Sequence, residues 1–118
     1  MRAFLAARIA ACPDAGVPAE HVVADPGFGF GETLAHDVAL VASLDAFTGL
    51  GVPVVVGLSR TSVLGRLTGR DVGDRFPGSL AAALVAVQRG AAVLRVHDVA
   101  ATRDVLAVWD AVRTLDGP

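Results

Sequence analysis

The apolar positions follow two rhythms along the chain. In residues 2–11, Phe4, Leu5, Arg8 and Ile9 fall three or four apart, which predicts a helix that Pro13, Asp14 and Gly16 terminate. HVVA at 21–24 is a short apolar run and predicts a buried strand. Helical spacing returns at 33–47, where Leu34, Val38, Val41, Leu44 and Phe47 define an inner face and Gly49 and Gly51 mark the stop. VPVVVGL at 52–58 is β-branched and apolar, a second strand. A short helix is expected at 62–67 and a polar loop at 70–77. Ser79 is placed to cap a helix over 79–89 that Gly90 ends. AVLRV at 92–96 predicts a third strand. The last helix spans 100–115, with Val105, Trp109 and Val112 facing inward.

The order is a leading helix and then three strand–helix units. Strands apolar on both faces, alternating with helices, imply an α/β fold with a parallel sheet covered by helices. Strand alternation divides each strand into two faces. Val22 with Ala24, Val54 with Val56 and Leu58, and Leu94 with Val96 form a uniformly apolar set that should meet the helices. The opposite set is mixed: Val23 and Asp25, then Val55, Gly57 and Ser59, then Val93, Arg95 and His97. That set is expected to face inward, as in a barrel with a polar mouth.

Length adds that 118 residues make one domain. At 53% hydrophobic the chain is too apolar for disorder, and no apolar run is long enough to span a bilayer. A net charge of −2 gives no surface for nucleic acid or anionic membrane. All ten basic residues are Arg, with no Lys. The single Cys12 forms no internal disulfide, which fits a cytoplasmic location. Residues 9–12 look like a lipoprotein cleavage box, but Arg8 interrupts the apolar stretch before it, so an amphipathic helix is the better account.

The chemistry collects at the strand ends. The first strand runs into DPGFGFG at 25–31, the second into Ser59, Arg60, Thr61 and Ser62, and the third carries Arg95, His97 and Asp98. Parallel α/β folds bind ligands at the carboxyl ends of their strands. Each cluster also has a structural reading. Asp before Pro starts turns, a Gly-Phe loop packs core aromatics, and serines cap helices. The G-x-G-x-G spacing is not that of a dinucleotide loop. Arg95 within an apolar strand calls for an anion, either Asp25, Asp98 or a ligand phosphate. The three histidines lack metal-ligand spacing.

DPGFGFG, VPVVVGLSRTSVLG and GSLAAALVAVQRGAAVLRVHDV, in that order and spacing, together resemble dihydropteroate synthase from about residue 20 onward. The resemblance implies a (β/α)8 TIM barrel, here a partial one: a leading helix plus three βα units with parallel strands. It implies a transferase of folate biosynthesis that joins a 6-hydroxymethyl-dihydropterin diphosphate to p-aminobenzoate, with a magnesium ion whose usual protein ligand lies outside this chain. It also assigns residues. Asp25 accepts hydrogen bonds from the pterin, and Phe30 borders the pterin and aminobenzoate sites. Ser62 lies near the aminobenzoate carboxylate, Thr61 stands where the family's Lys touches both pterin and aminobenzoate, and Ser59 is a further substrate-binding residue. Arg95 packs over the pterin and reaches the anion site, where His97 binds diphosphate. Arg95 and His97 then act as catalytic residues by electrostatic stabilisation.

The pattern departs from the family at three points. Thr61 and Glu32 stand where the family usually has Lys, and Asp37 where it usually has Asn. A complete barrel also takes roughly 250 residues. The chain is therefore expected to be the C-terminal part of such a barrel and to need an N-terminal half-barrel chain for activity, and the resemblance implies a homodimer. The competing expectations are a noncatalytic remnant that binds a pterin or a partner, and a methyltetrahydrofolate methyltransferase-like domain.

Overall fold

The computed structural model describes residues 2–28 and 33–115. Helix α1 spans Arg2–Ala11, α2 Leu34–Ala42, α3 Ser62–Thr68, α4 Phe76–Gln88 and α5 Val99–Leu115. Strands β1 (Val55–Val56) and β2 (Val93–Leu94) run parallel, with Val55 opposite Val93 and Val56 opposite Leu94. Ala24 adds an isolated parallel bridge to Val54 on the other side of β1. The chain therefore lays three extended segments side by side in sequence order, with β1 in the centre.

The ladder is shorter than the apolar runs predict. Residues 21–24 do not form a strand; Ala19–His21 is a 3-10 turn and only Ala24 pairs. Its N–H donates to the Pro53 carbonyl at 2.8 Å and its carbonyl accepts from Val55 at 2.7 Å. Among the described residues both outer segments have a strand neighbour on one side alone, so half of the ladder bonds that would hold them extended are missing. The strand patterns at 52–58 and 92–96 likewise contract to their paired centres.

Two helices also differ from expectation. The pattern at 33–47 divides at Ser43 into α2 and a 3-10 helix, Leu44–Leu50. With three residues per turn, the second piece sets Leu44, Phe47 and Leu50 on one face. Leu44 is fully buried, Phe47 nearly so, and Leu50 packs against the same cluster. An α-helix would rotate them apart. In α2 the buried positions are Asp37 and Leu40, while Val38 is exposed. Helix α4 begins at Phe76, with Pro77 in its first turn where a missing N–H costs nothing. Ser79 is thus inside the helix rather than its cap. Val112 of α5 is exposed, whereas Val105 and Trp109 are half-buried.

The core lies on one side of the sheet. Val54, Val56 and Leu58 turn toward the helices and pack with Leu40, Leu44, Phe47, Val63 and Ala86, and Ala24 is buried beside them in the sheet. Phe28, from the Gly-Phe loop, joins them. The other side is open: Val23 is 54% and Val93 45% exposed. The mixed face read from strand alternation is therefore uncovered. The molecule is a slab of 44 × 39 × 22 Å with a radius of gyration of 15.2 Å. A compact chain of this length has about 13.5 Å. None of the described helices is long and apolar enough to cross a membrane.

Candidate functional site

The three polar clusters meet on one rim, at the carboxyl ends of the extended segments. Asp25 follows Ala24 directly. Its Oδ1 accepts the Gly27 N–H at 3.0 Å, an Asx turn that directs the chain away from the sheet. Gly27 has φ +77°, in the region that favours glycine. The other oxygen, Oδ2, accepts from Arg95 Nη1 at 2.9 Å, across 70 positions of sequence. Of the two carboxylates the sequence offers Arg95, Asp25 is the partner. Arg95 is not buried, as its place in an apolar strand had implied. Its side chain is 60% exposed and that of Asp25 36%, because the face they share is open.

The guanidinium of Arg95 lies on Gly57 of the neighbouring segment. A methyl group at residue 57 would overlap it. Glycine in an otherwise β-branched run is explained by this close approach.

Ser59 and His97 form the second contact between segments. Ser59 Oγ accepts the His97 backbone N–H at 3.3 Å and lies 2.9 Å from His97 Nδ1. Which of Oγ and Nδ1 donates in this contact is set by the imidazole tautomer.

Asp98, at the head of α5, receives Arg60 Nη2 at 2.9 Å. This pair leaves Arg95 to Asp25. Thr61 occupies the cap position of α3 without making a side-chain cap bond; its hydroxyl donates instead to the Leu58 carbonyl at 2.8 Å. Ser62 is exposed at the first turn of α3. Phe30 and Glu32 lie outside the described residues.

The described carboxylates do not fit a magnesium cage. Among the described residues no group of three or more His, Cys, Asp or Glu could hold a metal ion. The rim acids Asp25 and Asp98 each face a guanidinium. The rim thus presents two arginines and a histidine beside two carboxylates.

Sequence reasoning placed Asp25, Ser59, Arg95 and His97 together, and the structure brings them together. It missed Arg75 and Ser79. Arg75 donates to the carbonyls of Arg60, Thr61 and Arg70 at 3.2, 3.3 and 3.2 Å. Ser79 accepts the Arg60 N–H at 2.9 Å. Neither lies near a strand end in sequence, so no local signal marks them.

A helix-backed parallel sheet with polar side chains at the carboxyl ends of its strands is an α/β ligand-binding architecture, and the comparisons say which family it belongs to. The family model of pterin binding enzymes matches residues 1–97, and the chain belongs to that family. It is similar to part of dihydropteroate synthase, as its motifs led one to expect. It is 49% identical to the Haemophilus influenzae enzyme over 109 residues, which cover 92% of this chain and 40% of that protein. Against dihydropteroate synthase of Neisseria meningitidis serogroup C the identity is 47% over 111 residues. The structure superposes on Xanthomonas albilineans dihydropteroate synthase in complex with 7,8-dihydropteroate with a TM-score of 0.92 at 52% identity, covering 95% of this chain and 43% of that one. The chain thus spans about two fifths of the length of the curated relatives it matches.

Proposed function

We propose that this chain is the C-terminal part of a dihydropteroate synthase barrel and supplies one wall of its active site. The reaction is attack of the p-aminobenzoate amine on the methylene of a dihydropterin diphosphate, with release of diphosphate. The observation that carries the reading is the convergence of Asp25, Arg95, Ser59 and His97 on one rim. Support for the ligand classes comes from the Xanthomonas albilineans enzyme, whose structures hold 7,8-dihydropteroate and 4-aminobenzoic acid.

In this reading Asp25 accepts the pterin's N–H donors. Its existing pair with Arg95 is exposed and contributes about 0–1 kcal/mol. Charge-assisted hydrogen bonds to a ligand contribute roughly 1.5–3 kcal/mol, so the pair opens readily for a pterin. Arg95 then stands over the pterin and, with the His97 imidazole, donates to the diphosphate as its charge develops. Ser59, Thr61 and Ser62 line the aminobenzoate side. A magnesium ion belongs to this reading as a companion of the diphosphate, held from outside these residues. An N-terminal half-barrel covers the open face, the assembly pairs as a homodimer, and its location is cytoplasmic.

Thr61 favours a second reading, in which the chain binds a pterin without catalysis. Its hydroxyl turns back to Leu58 and offers the rim no cation. Calorimetric titration of the chain, alone and with a separately expressed N-terminal half-barrel, tests both readings. The first expects pterin diphosphate to bind and the mixture to release diphosphate when p-aminobenzoate is added. Binding without turnover selects the second. Binding of methyltetrahydrofolate alone would overturn both in favour of a methyltransferase-like domain.

A further inference from the structure

We infer that Arg75 and Ser79, at the start of α4, are positioning residues that set the shape of the rim loop 59–62 from behind. Its functional consequence rests on the ligand reading above; its structural half does not. Arg60 has φ +57° and is the one non-glycine residue in the left-handed region among the described residues. An L-residue stays there only where its surroundings hold it.

Three groups hold Arg60. Its N–H donates to Ser79 Oγ at 2.9 Å, its carbonyl accepts from Arg75 Nη1 at 3.2 Å, and its Nη2 donates to Asp98 at 2.9 Å. Two of these come from the first turn of α4 and its cap position. Ser79 is buried and its own proton goes to the Arg75 carbonyl at 2.7 Å, which leaves Oγ a lone pair for Arg60. The Arg75 guanidinium lies on Gly65 of α3, where a methyl group would overlap it, and reaches the carbonyls of Thr61 and Arg70 as well. Both residues grip the loop by its backbone. Ser59 and Ser62 are left to the rim, and Ser59 in turn holds the His97 ring. Residue 60 sets the direction of the peptide groups on either side of it, so α4 acts on both the aminobenzoate subsite and His97 through it.

Amide hydrogen exchange on the 15N-labelled full chain tests this. Ser79→Ala removes one oxygen, and the Arg60 amide should then exchange roughly tenfold faster, the loss expected for one hydrogen bond, with the Thr61 amide, bonded to the Leu58 carbonyl, also exchanging faster as residue 60 leaves its left-handed conformation. The amides of Ala83 and Ala86 in the same helix should keep their rates. Gly65→Ala gives an independent arm. A purely structural role for this region predicts a stiffer α3 and a slower loop, because alanine favours helix. The positioning role predicts a faster-exchanging Thr61 amide with an unchanged or raised melting temperature. Arg60→Gly in the Ser79→Ala background should restore Thr61 protection, since glycine adopts this conformation unaided. Unchanged exchange at Arg60 and Thr61 in both single variants overturns the inference. In the same samples, titration with p-aminobenzoate and inorganic diphosphate reads the consequence. Ser79→Ala should weaken p-aminobenzoate more than diphosphate, and equal binding by both proteins overturns that consequence. If the unsubstituted chain binds neither, alone or with the N-terminal half-barrel, the proposed function falls while the exchange rates still judge the positioning.

Discussion

The two faces of the sheet are built from the same strands and have opposite fates. Val54, Val56 and Leu58 are sealed under the helices, whereas Val23 and Val93, one residue out of phase, stand half in water. The sealed face carries the folding energy. The open face carries Asp25, Arg95 and the Ser59–His97 contact, and it spends its glycine on a close approach by a guanidinium. Stability and ligand chemistry are thus assigned to alternate residues of one strand. In the proposed function an N-terminal half-barrel covers the open face.

Substitutions on the two faces test this division. The largest effect is expected from Phe47→Ala beneath the sealed face, a loss of about 3–5 kcal/mol in urea denaturation. A loss below about 1 kcal/mol would mean that this face is not the main core. On the open rim, Arg95→Ala should weaken binding of pterin diphosphate by roughly 10- to 150-fold, the equivalent of one charged hydrogen bond, with little change in stability. Equal affinity would remove Arg95 from the anion site. Gly57→Ala should produce part of that loss without touching a polar group, because the new methyl displaces the guanidinium; isothermal titration beside Arg95→Ala checks the order. Thr61→Lys restores a cation to the rim and should raise pterin or p-aminobenzoate affinity by up to about tenfold. An unchanged affinity would favour the noncatalytic reading. The smallest effect belongs to Val93→Ser, under about 0.5 kcal/mol in the same urea experiment on the chain by itself. A large loss there would show the open face to be covered in solution.

Much of this was legible from residue order. The helix at Arg2–Ala11 and the short helix after Ser59-Arg60-Thr61 fall where the spacing put them. So does the convergence of Asp25, Ser59, Arg95 and His97, because parallel strands bring their carboxyl ends to one side whatever the intervening sequence. Strand lengths were not legible. An apolar run states what can be buried, but extended structure lasts only as far as a neighbouring strand supplies partners, and the outer segments have one neighbour each among the described residues. The break at Ser43 was hidden for a similar reason. Leu44 and Phe47 fit α-helical spacing as well as 3-10 spacing, and the demand to bury Leu50 beside them chose the tighter turn.

Alternation along three strands determined by itself that one face would be apolar and the other mixed, because successive side chains point to opposite sides. It also determined the chemical types on the rim. Tertiary structure alone decided the pairings: Arg95 with Asp25 rather than Asp98, Arg60 with Asp98, and the α4 grip on a left-handed Arg60. Those choices depend on distances between residues up to 70 positions apart. Only the packed chain sets such distances, since a guanidinium pairs with whichever carboxylate the fold brings within hydrogen-bond reach.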